Sequence, residues 1–313
     1  SNIALIKYWG KSGRGDNLTA VPSLSMTLDA LRTTTHVRFD DALSEDRISI
    51  GGALQSGPPR ERAARLLDWV RELAGVKTFA EVDSSNDFPT ASGLASSASG
   101  FAALALGAQA ALGLDLPPQE VSRLARRASA SAARSVFAGF VELHAEAQTA
   151  AQVAPADFFD VVMLVAATTL GPKETGSTGG MLHTQKTSPY YPVWVAHAPQ
   201  LFDAGKRALL ARDLEALGVA MEQSTWMMHA SMLAATPALR YLRDATLRVI
   251  DAVIALRAAG TAAYYTMDAG PHVKVLTRRG DAERVCAALT QVPGVERVIR
   301  SVPGPAAWIV QER

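Results

Sequence analysis

The chain has 313 residues, 48% hydrophobic and 19% charged, which is enough for two domains and a large core and excludes a disordered class. Its 31 basic and 30 acidic side chains leave a net charge of +1, so bulk electrostatics exclude nucleic acid and an anionic membrane as partners, and any anion site must be local. One cysteine, Cys286, excludes an internal disulfide framework and a cysteine-cluster metal site, and this usage suits a reducing cytoplasm.

Residues 2–9 (NIALIKYW) read as an extended segment ending at Gly10, followed by a Gly-rich polar loop, 11–16. Lys7 interrupts the apolar run, so it either points outward from an edge strand or is buried with a partner. Runs 23–28, 33–39 and 47–50 alternate or are β-branched and predict strands, the last stopped by Gly51-Gly52. Residues 60–73 place Ala64, Leu67, Val70 and Ala74 on one helical face, with Gly75 at the C-terminal end. A strand over 79–84 leads into residues 88–100, FPTASGLASSASG, and then a helical pattern over 101–112. Gly93 allows a tight turn, and the serines can cap a helix start whose free N–H groups favour an anion. The stretch is not a Walker A loop, because no Gly-Lys-Ser/Thr follows; it is either a phosphate loop or a Gly/Ser helix entry without a ligand.

Pro117-Pro118 opens a helix over 119–128. Residues 128–142 are small side chains around Arg134, then an apolar segment broken by Gly139. Residues 153–156 read as a linker and 161–167 as a buried strand. A second Gly/Ser/Thr loop occupies 173–181, and helices are predicted over 192–217, 217–234 and 239–258, the last with its arginines on a solvated face. Strands are predicted over 263–267, 272–277, 295–300 and 307–310, with a helix over 282–289. No run reaches the length of a membrane span, and no signal peptide is read at the start.

Three Gly-rich loops, 10–16, 89–99 and 176–180, and a fourth, Asp268 to Pro271, suggest one cleft for a ligand with more than one phosphate. Lys7, Lys11 and Arg134 lie where a long cation can reach a bound anion, Arg being suited to a bidentate grip. Asp268 is either a turn-former or, if Lys7 meets it, an ionised and oriented carboxylate. His183, His229 and His272 lack metal-ligand spacing, and His229 reads as a helix residue with a structural hydrogen bond.

Together these segments resemble the mevalonate diphosphate decarboxylases of the GHMP kinase superfamily. NIALIKYWGK is similar to that family's N-terminal signature and PTASGLASSASG to the superfamily phosphate loop. SASAARSVFAGF is similar to its Ser-rich segment, and TGSTGGM and YYTMDAGP to its later motifs. The sequence departs from the family at His272, where Asn often follows MDAGP, and at Pro22-Ser23, where an Asn is usually interposed.

The resemblance implies an α+β, GHMP-kinase-type fold with an N-terminal α/β domain (1–156) and a C-terminal ferredoxin-like α+β domain (157–313), the active site lying between them. It implies ATP-dependent conversion of mevalonate 5-diphosphate to isopentenyl diphosphate through 3-phosphorylation. A decarboxylase of the monophosphate, or a kinase that stops after phosphorylation, would keep the same residues. Asp268 would orient or deprotonate the tertiary hydroxyl, Lys7 would keep Asp268 anionic, and Arg134 would position the carboxylate. Tyr8, Lys11, Ser129, Ser131 and Ser177 would hold the rest of the substrate. Pro89, Gly93, Leu94, Ala95, Ser96, Ser97 and Ser99 would hold ATP, with Mg²⁺ near Ser96 or Ser97 and no dedicated protein cluster. A cytoplasmic homodimer completes the expectation.

Overall fold

The computed structural model describes residues 1–88, 96–168 and 175–310. In chain order the first half contains β1 (Asn2–Ile6), β2 (Ser23–Thr27), β3 (Thr33–Phe39), β4 (Arg47–Ile50), β5 (Ala53–Leu54), α1 (Gly57–Ala74), β6 (Ala80–Asn86), α2 (Ser96–Ala111) and α3 (Pro118–Ala128). It closes with a 3-10 helix (Ala130–Val136), β7 (Phe140–Leu143) and β8 (Ala151–Ala154). The second half contains β9 (Val161–Ala167), α4 (Ser177–Thr187), α5 (Tyr191–Leu210), α6 (Leu214–Leu233), α7 (Asp244–Ala258), β10 (Ala263–Met267), β11 (Val273–Arg278), α8 (Ala282–Thr290) and β12 (Arg297–Ser301).

Two sheets belong to the first half. One is antiparallel, in the order β1-β2-β7-β8; the other, β3-β6-β4-β5, carries a parallel β4–β6 pair and packs against α1, α2 and α3. The third sheet runs β10-β11-β9-β12, wholly antiparallel, with the βαββαβ order of a ferredoxin-like fold. β9 explains its own continuous apolar character. Its odd residues, Val161, Met163 and Val165, enter a core shared with β1, β2, α5 and α6, while Val162, Leu164 and Ala166 face α7 and α8. The shared core joins Ile3, Leu5, Leu24 and Met26 to Leu217, Met221 and Tyr264, so the two halves are packed together rather than tethered.

Several sequence expectations shift. Residues 153–156 are not all linker, because Val153 and Ala154 end β8. Of the expected α1 face, Leu67 and Val70 are buried, joined by Ala63 and Leu66, while Ala64 and Ala74 are half-buried. The helix pair breaks at 211–213, where Asp213 caps α6 by accepting from the Ala216 N–H, and not at Leu217, which is core. The helix after it starts at Asp244 rather than 239. Arg257 leaves the expected solvated face to pair with Glu222 at 2.7 Å. Residues 307–310 form no strand; Trp308, Ile309 and Val310 stay exposed.

Gly10 ends the β1 segment with φ +114°, and an added Cβ would fall inside the Tyr191 hydroxyl, behind which Trp194 donates from Nε1 to the Trp9 carbonyl at 2.9 Å. Gly10→Ala combines backbone strain with this clash. It is expected to destabilise the protein by roughly 2–4 kcal/mol, read as a lowered urea midpoint with an unchanged slope.

Candidate active site

A cleft of about 590 Å³ opens between the two halves, lined from both. β1 supplies its first wall through a register irregularity. Asn2 and Ala4 line the cleft while Ile3 and Leu5 face the core, and the pairing with β2 shifts between Ala4 and Ile6. The shift lets Ile6 stay in the core and sends Lys7 into the cleft, the re-aiming that a β-bulge provides. There Lys7 is 1% exposed; its Nζ donates to Asp268 Oδ1 at 2.7 Å and to the Ala4 carbonyl at 2.8 Å. Burial with a partner is therefore the alternative realised, and Asp268 is more than a turn-former.

Asp268 directly follows β10, and its carboxylate meets a second ammonium, Lys274 of β11, at Oδ2 and 2.9 Å. Burial pushes the Asp268 carboxyl up, but the charges of Lys274 and Lys7 and their hydrogen bonds outweigh it and hold the group well below the usual carboxylate range. Burial lowers Lys7 to about 8, against the opposing pull of Asp268. His229 of α6 lies beside them, fully buried and bonded to the Met267 backbone; burial and then the Lys7 charge lower it to about 4, so it is neutral.

Arg134 sits in the 3-10 helix, where the small neighbours Ala132 and Ala133 allow close packing. It is 2% exposed, donates to Ser23 Oγ at 2.7 Å and Asn2 Oδ1 at 3.3 Å, and lies 5.6 Å from the centroid of the Tyr8 ring. Among the described residues no carboxylate pairs with it, so a buried guanidinium stands at the cleft with donors to spare. Lys11, its ammonium 5.8 Å from the centroid of the same Tyr8 ring, also lines the cleft, and burial and then Arg126 lower it to about 8.

Two helix starts face the same space. Ser96 and Ser97 of α2 line it, as do Ser177, Thr178 and Gly179 of α4, with Gly176 as N-cap. The 176–180 loop of the sequence reading is thus the first turn of a helix. Ser129 and Ser131 line the floor, their hydroxyls 3.3 Å apart. Ser99 is buried one turn into α2, receives a hydrogen bond from Thr33 Oγ1 at 2.6 Å and is not among the described residues that line the cleft. Pro89, Gly93, Leu94 and Ala95 lie outside the described residues.

The sequence reading missed Lys274 and Arg62. Lys274 had the signal that flagged Lys7, a lysine in an apolar strand. Arg62 of α1 lines both the cleft and an adjoining apolar pocket of about 160 Å³ between β4, β6, α1 and α2, and its buried Nε meets no acceptor among the described residues. His272 bonds inward, Nδ1 accepting from the Thr168 N–H at 3.2 Å. Among the described residues no group of three or more His, Cys, Asp or Glu could hold a metal, and Asp268, the one carboxylate lining the cleft, is held by two lysines. Serine hydroxyls beside a polyphosphate fit a hard cation that keeps most of its ligands from phosphate and water.

The family profile for the diphosphomevalonate decarboxylase-like N-terminal domain matches residues 1–154, and that for the mevalonate 5-diphosphate decarboxylase C-terminal domain matches 161–304. A diphosphomevalonate decarboxylase of Candida albicans is 32% identical, over 97% of this chain and 94% of that protein; the Homo sapiens one is 34% identical, over 88% and 74%. Among solved structures, mevalonate diphosphate decarboxylase from Staphylococcus aureus is similar with a TM-score of 0.92 and 35% identity, covering 98% of this chain and 94% of that one. The complex of MDDEF with MVAPP, AMPPCP and magnesium is similar with a TM-score of 0.91 and 38% identity, covering 98% and 95%.

Proposed function

The chain belongs to the diphosphomevalonate decarboxylase family, and from that premise we propose how its cleft carries out the ATP-dependent decarboxylation of mevalonate 5-diphosphate. The observation that carries the reading is the ion-paired Asp268 facing the same cleft as two helix starts and a buried Arg134 that has no carboxylate partner among the described residues.

Phosphoryl transfer asks mainly for positioning and charge neutralisation. The α2 start, with Ser96 and Ser97, holds the ATP phosphates, the apolar pocket beside it takes the purine, and Arg62 spans the two. The related MDDEF complex contains an ATP analogue and magnesium; here Mg²⁺ would sit with the phosphates near Ser96 or Ser97 and supply charge neutralisation. Lys11, Tyr8, Ser129, Ser131 and Ser177 hold the substrate diphosphate. Arg134 grips the carboxylate, loosely enough not to oppose its departure. Asp268 accepts a hydrogen bond from the tertiary hydroxyl and aims its oxygen at the γ-phosphorus, while Lys7 keeps Asp268 anionic. The hydroxyl passes its proton to the Asp268 carboxylate as its oxygen bonds the γ-phosphorus and ADP leaves. The C–O bond to phosphate then breaks, the electrons of the C–CO₂⁻ bond form the alkene of isopentenyl diphosphate, and phosphate and carbon dioxide depart.

Two further parts of the reading are the domain division at 156/157 and a cytoplasmic homodimer. The division is supported by sheet membership, since strands up to Ala154 form two sheets and those from Val161 a third. The cytoplasmic location is supported by the lone cysteine, Cys286; light scattering reads the dimer.

The lysines set the pH dependence. Each carries its charge below its folded pKa and loses it above, so kcat/KM is expected to fall as pH rises through about 8, where Lys7 and Lys11 titrate. The limb in kcat should lie higher, because bound anions favour the charged lysines; coincident limbs would count against the assignment. The function itself is tested by mixing protein, ATP, Mg²⁺ and mevalonate 5-diphosphate: ADP and carbon dioxide should appear in equal amounts, and ADP alone would mean a kinase.

A further inference from the structure

We propose that Lys274 is a second positioning residue for Asp268, fixing the rotation of the carboxylate that faces the substrate hydroxyl; this rests on the reading of Asp268 given above. Lys274 stands opposite Thr266 in the β10–β11 ladder. Thr266 and Asp268 are two residues apart and share a strand face, so the Lys274 side chain is delivered to the Asp268 carboxylate by the pleat. Its ammonium is fully buried, 2.9 Å from Oδ2 and 3.4 Å from the His272 carbonyl. Lys7, arriving from the end of β1, holds the other oxygen at 2.7 Å.

One contact would leave the carboxylate able to swing about a single oxygen. Two contacts from different sheets fix its plane, while the side chain keeps 28% exposure toward the cleft. A merely structural ion pair needs one lysine per carboxylate. Two ammoniums on one carboxylate, with Arg134, Tyr8 and neutral His229 around them, leave surplus positive charge. Burying the second ammonium is costly unless it does something a packed apolar side chain could not. The surplus suits an anionic substrate, and the second contact suits an oriented acceptor.

The test compares Lys274→Met, Lys274→Gln and Asp268→Asn in steady-state kinetics with ATP and mevalonate 5-diphosphate, folding and nucleotide binding being checked by circular dichroism and nucleotide titration. Lys274→Met is expected to lower kcat about 100-fold, with both KM values within about threefold of the parent. Its acid limb in kcat should move to higher pH than the parent's, because a carboxylate with one ammonium takes up a proton more readily. A loss of stability alone would lower the active fraction without moving that limb. If the Met variant does not fold, Lys274→Gln gives the same reading. A folded Met or Gln variant with the parent's kcat and acid limb overturns the inference. If Asp268→Asn is inactive in that case, only the role of Lys274 falls; if Asp268→Asn turns over normally, the reading of Asp268 falls with it.

Discussion

Asp268→Ala is expected to abolish turnover while ATP still binds. Among the described residues the carboxylate is the one acid lining the cleft, and both of its oxygens are committed to ammoniums that keep it ionised. A tertiary hydroxyl is a poor nucleophile, and losing the group that orients it should cost about three orders of magnitude or more in kcat. Removing the anion also leaves Lys7 and Lys274 facing each other without a counter-charge, so the variant should melt at lower temperature; breaking a buried ion pair costs roughly 3–5 kcal/mol. Asp268→Asn keeps the shape and removes the charge alone, so it should lose turnover and stability without the added loss of side-chain volume. Isothermal titration with ATP should give near-parent affinity in either variant, because the α2 start lies in the other half of the chain. Turnover within tenfold of the parent would refute the role.

Arg134→Ala should cut kcat/KM by about two orders of magnitude, roughly 3 kcal/mol, mostly through loss of productive substrate binding. The guanidinium is buried, held by Ser23 and Asn2 and without a carboxylate partner among the described residues, so the substrate anion is what would complete its pairing. Arg134→Lys should rescue little, because a point charge cannot keep those two bonds and grip a carboxylate at once. An unchanged kcat/KM in Arg134→Ala would place the substrate carboxylate elsewhere in the cleft.

Much of this was legible in the sequence where the signal was local. The strand over 161–167 announced burial on both faces by its unbroken apolar run, and the structure divides its side chains between two cores. Lys7 in an apolar run and Asp268 before Gly-Pro marked themselves as unusual, and each proved to be the other's partner. What was not legible depends on phase and on distant partners. The serines of 96–99 looked equivalent as a loop, but once Ser96 and Ser97 open a helix, Ser99 is carried under it toward Thr33. The β1 irregularity that aims Lys7 at the cleft leaves no mark in NIALIKYW, because it arises in the pairing with β2. Lys274 carries the same local signal as Lys7, a lysine in an apolar strand, but nothing in HVKVLT names its partner; the β10–β11 pairing, which sets it opposite Thr266, brings it to Asp268. Helix α4 was hidden by its Gly/Ser/Thr start, whose poor helix propensity is overridden by packing against Trp9 and Tyr241.

The central claim is that this cleft couples ATP cleavage to loss of carbon dioxide from the diphosphate. The most direct measurement supplies carboxyl-labelled mevalonate 5-diphosphate and mevalonate 5-phosphate in parallel, each with ATP and Mg²⁺, and counts released carbon dioxide and phosphate. Labelled carbon dioxide from the diphosphate, equal to the phosphate formed and absent without ATP, is the predicted result; carbon dioxide from the monophosphate alone, or ATP consumed with none released, would contradict it.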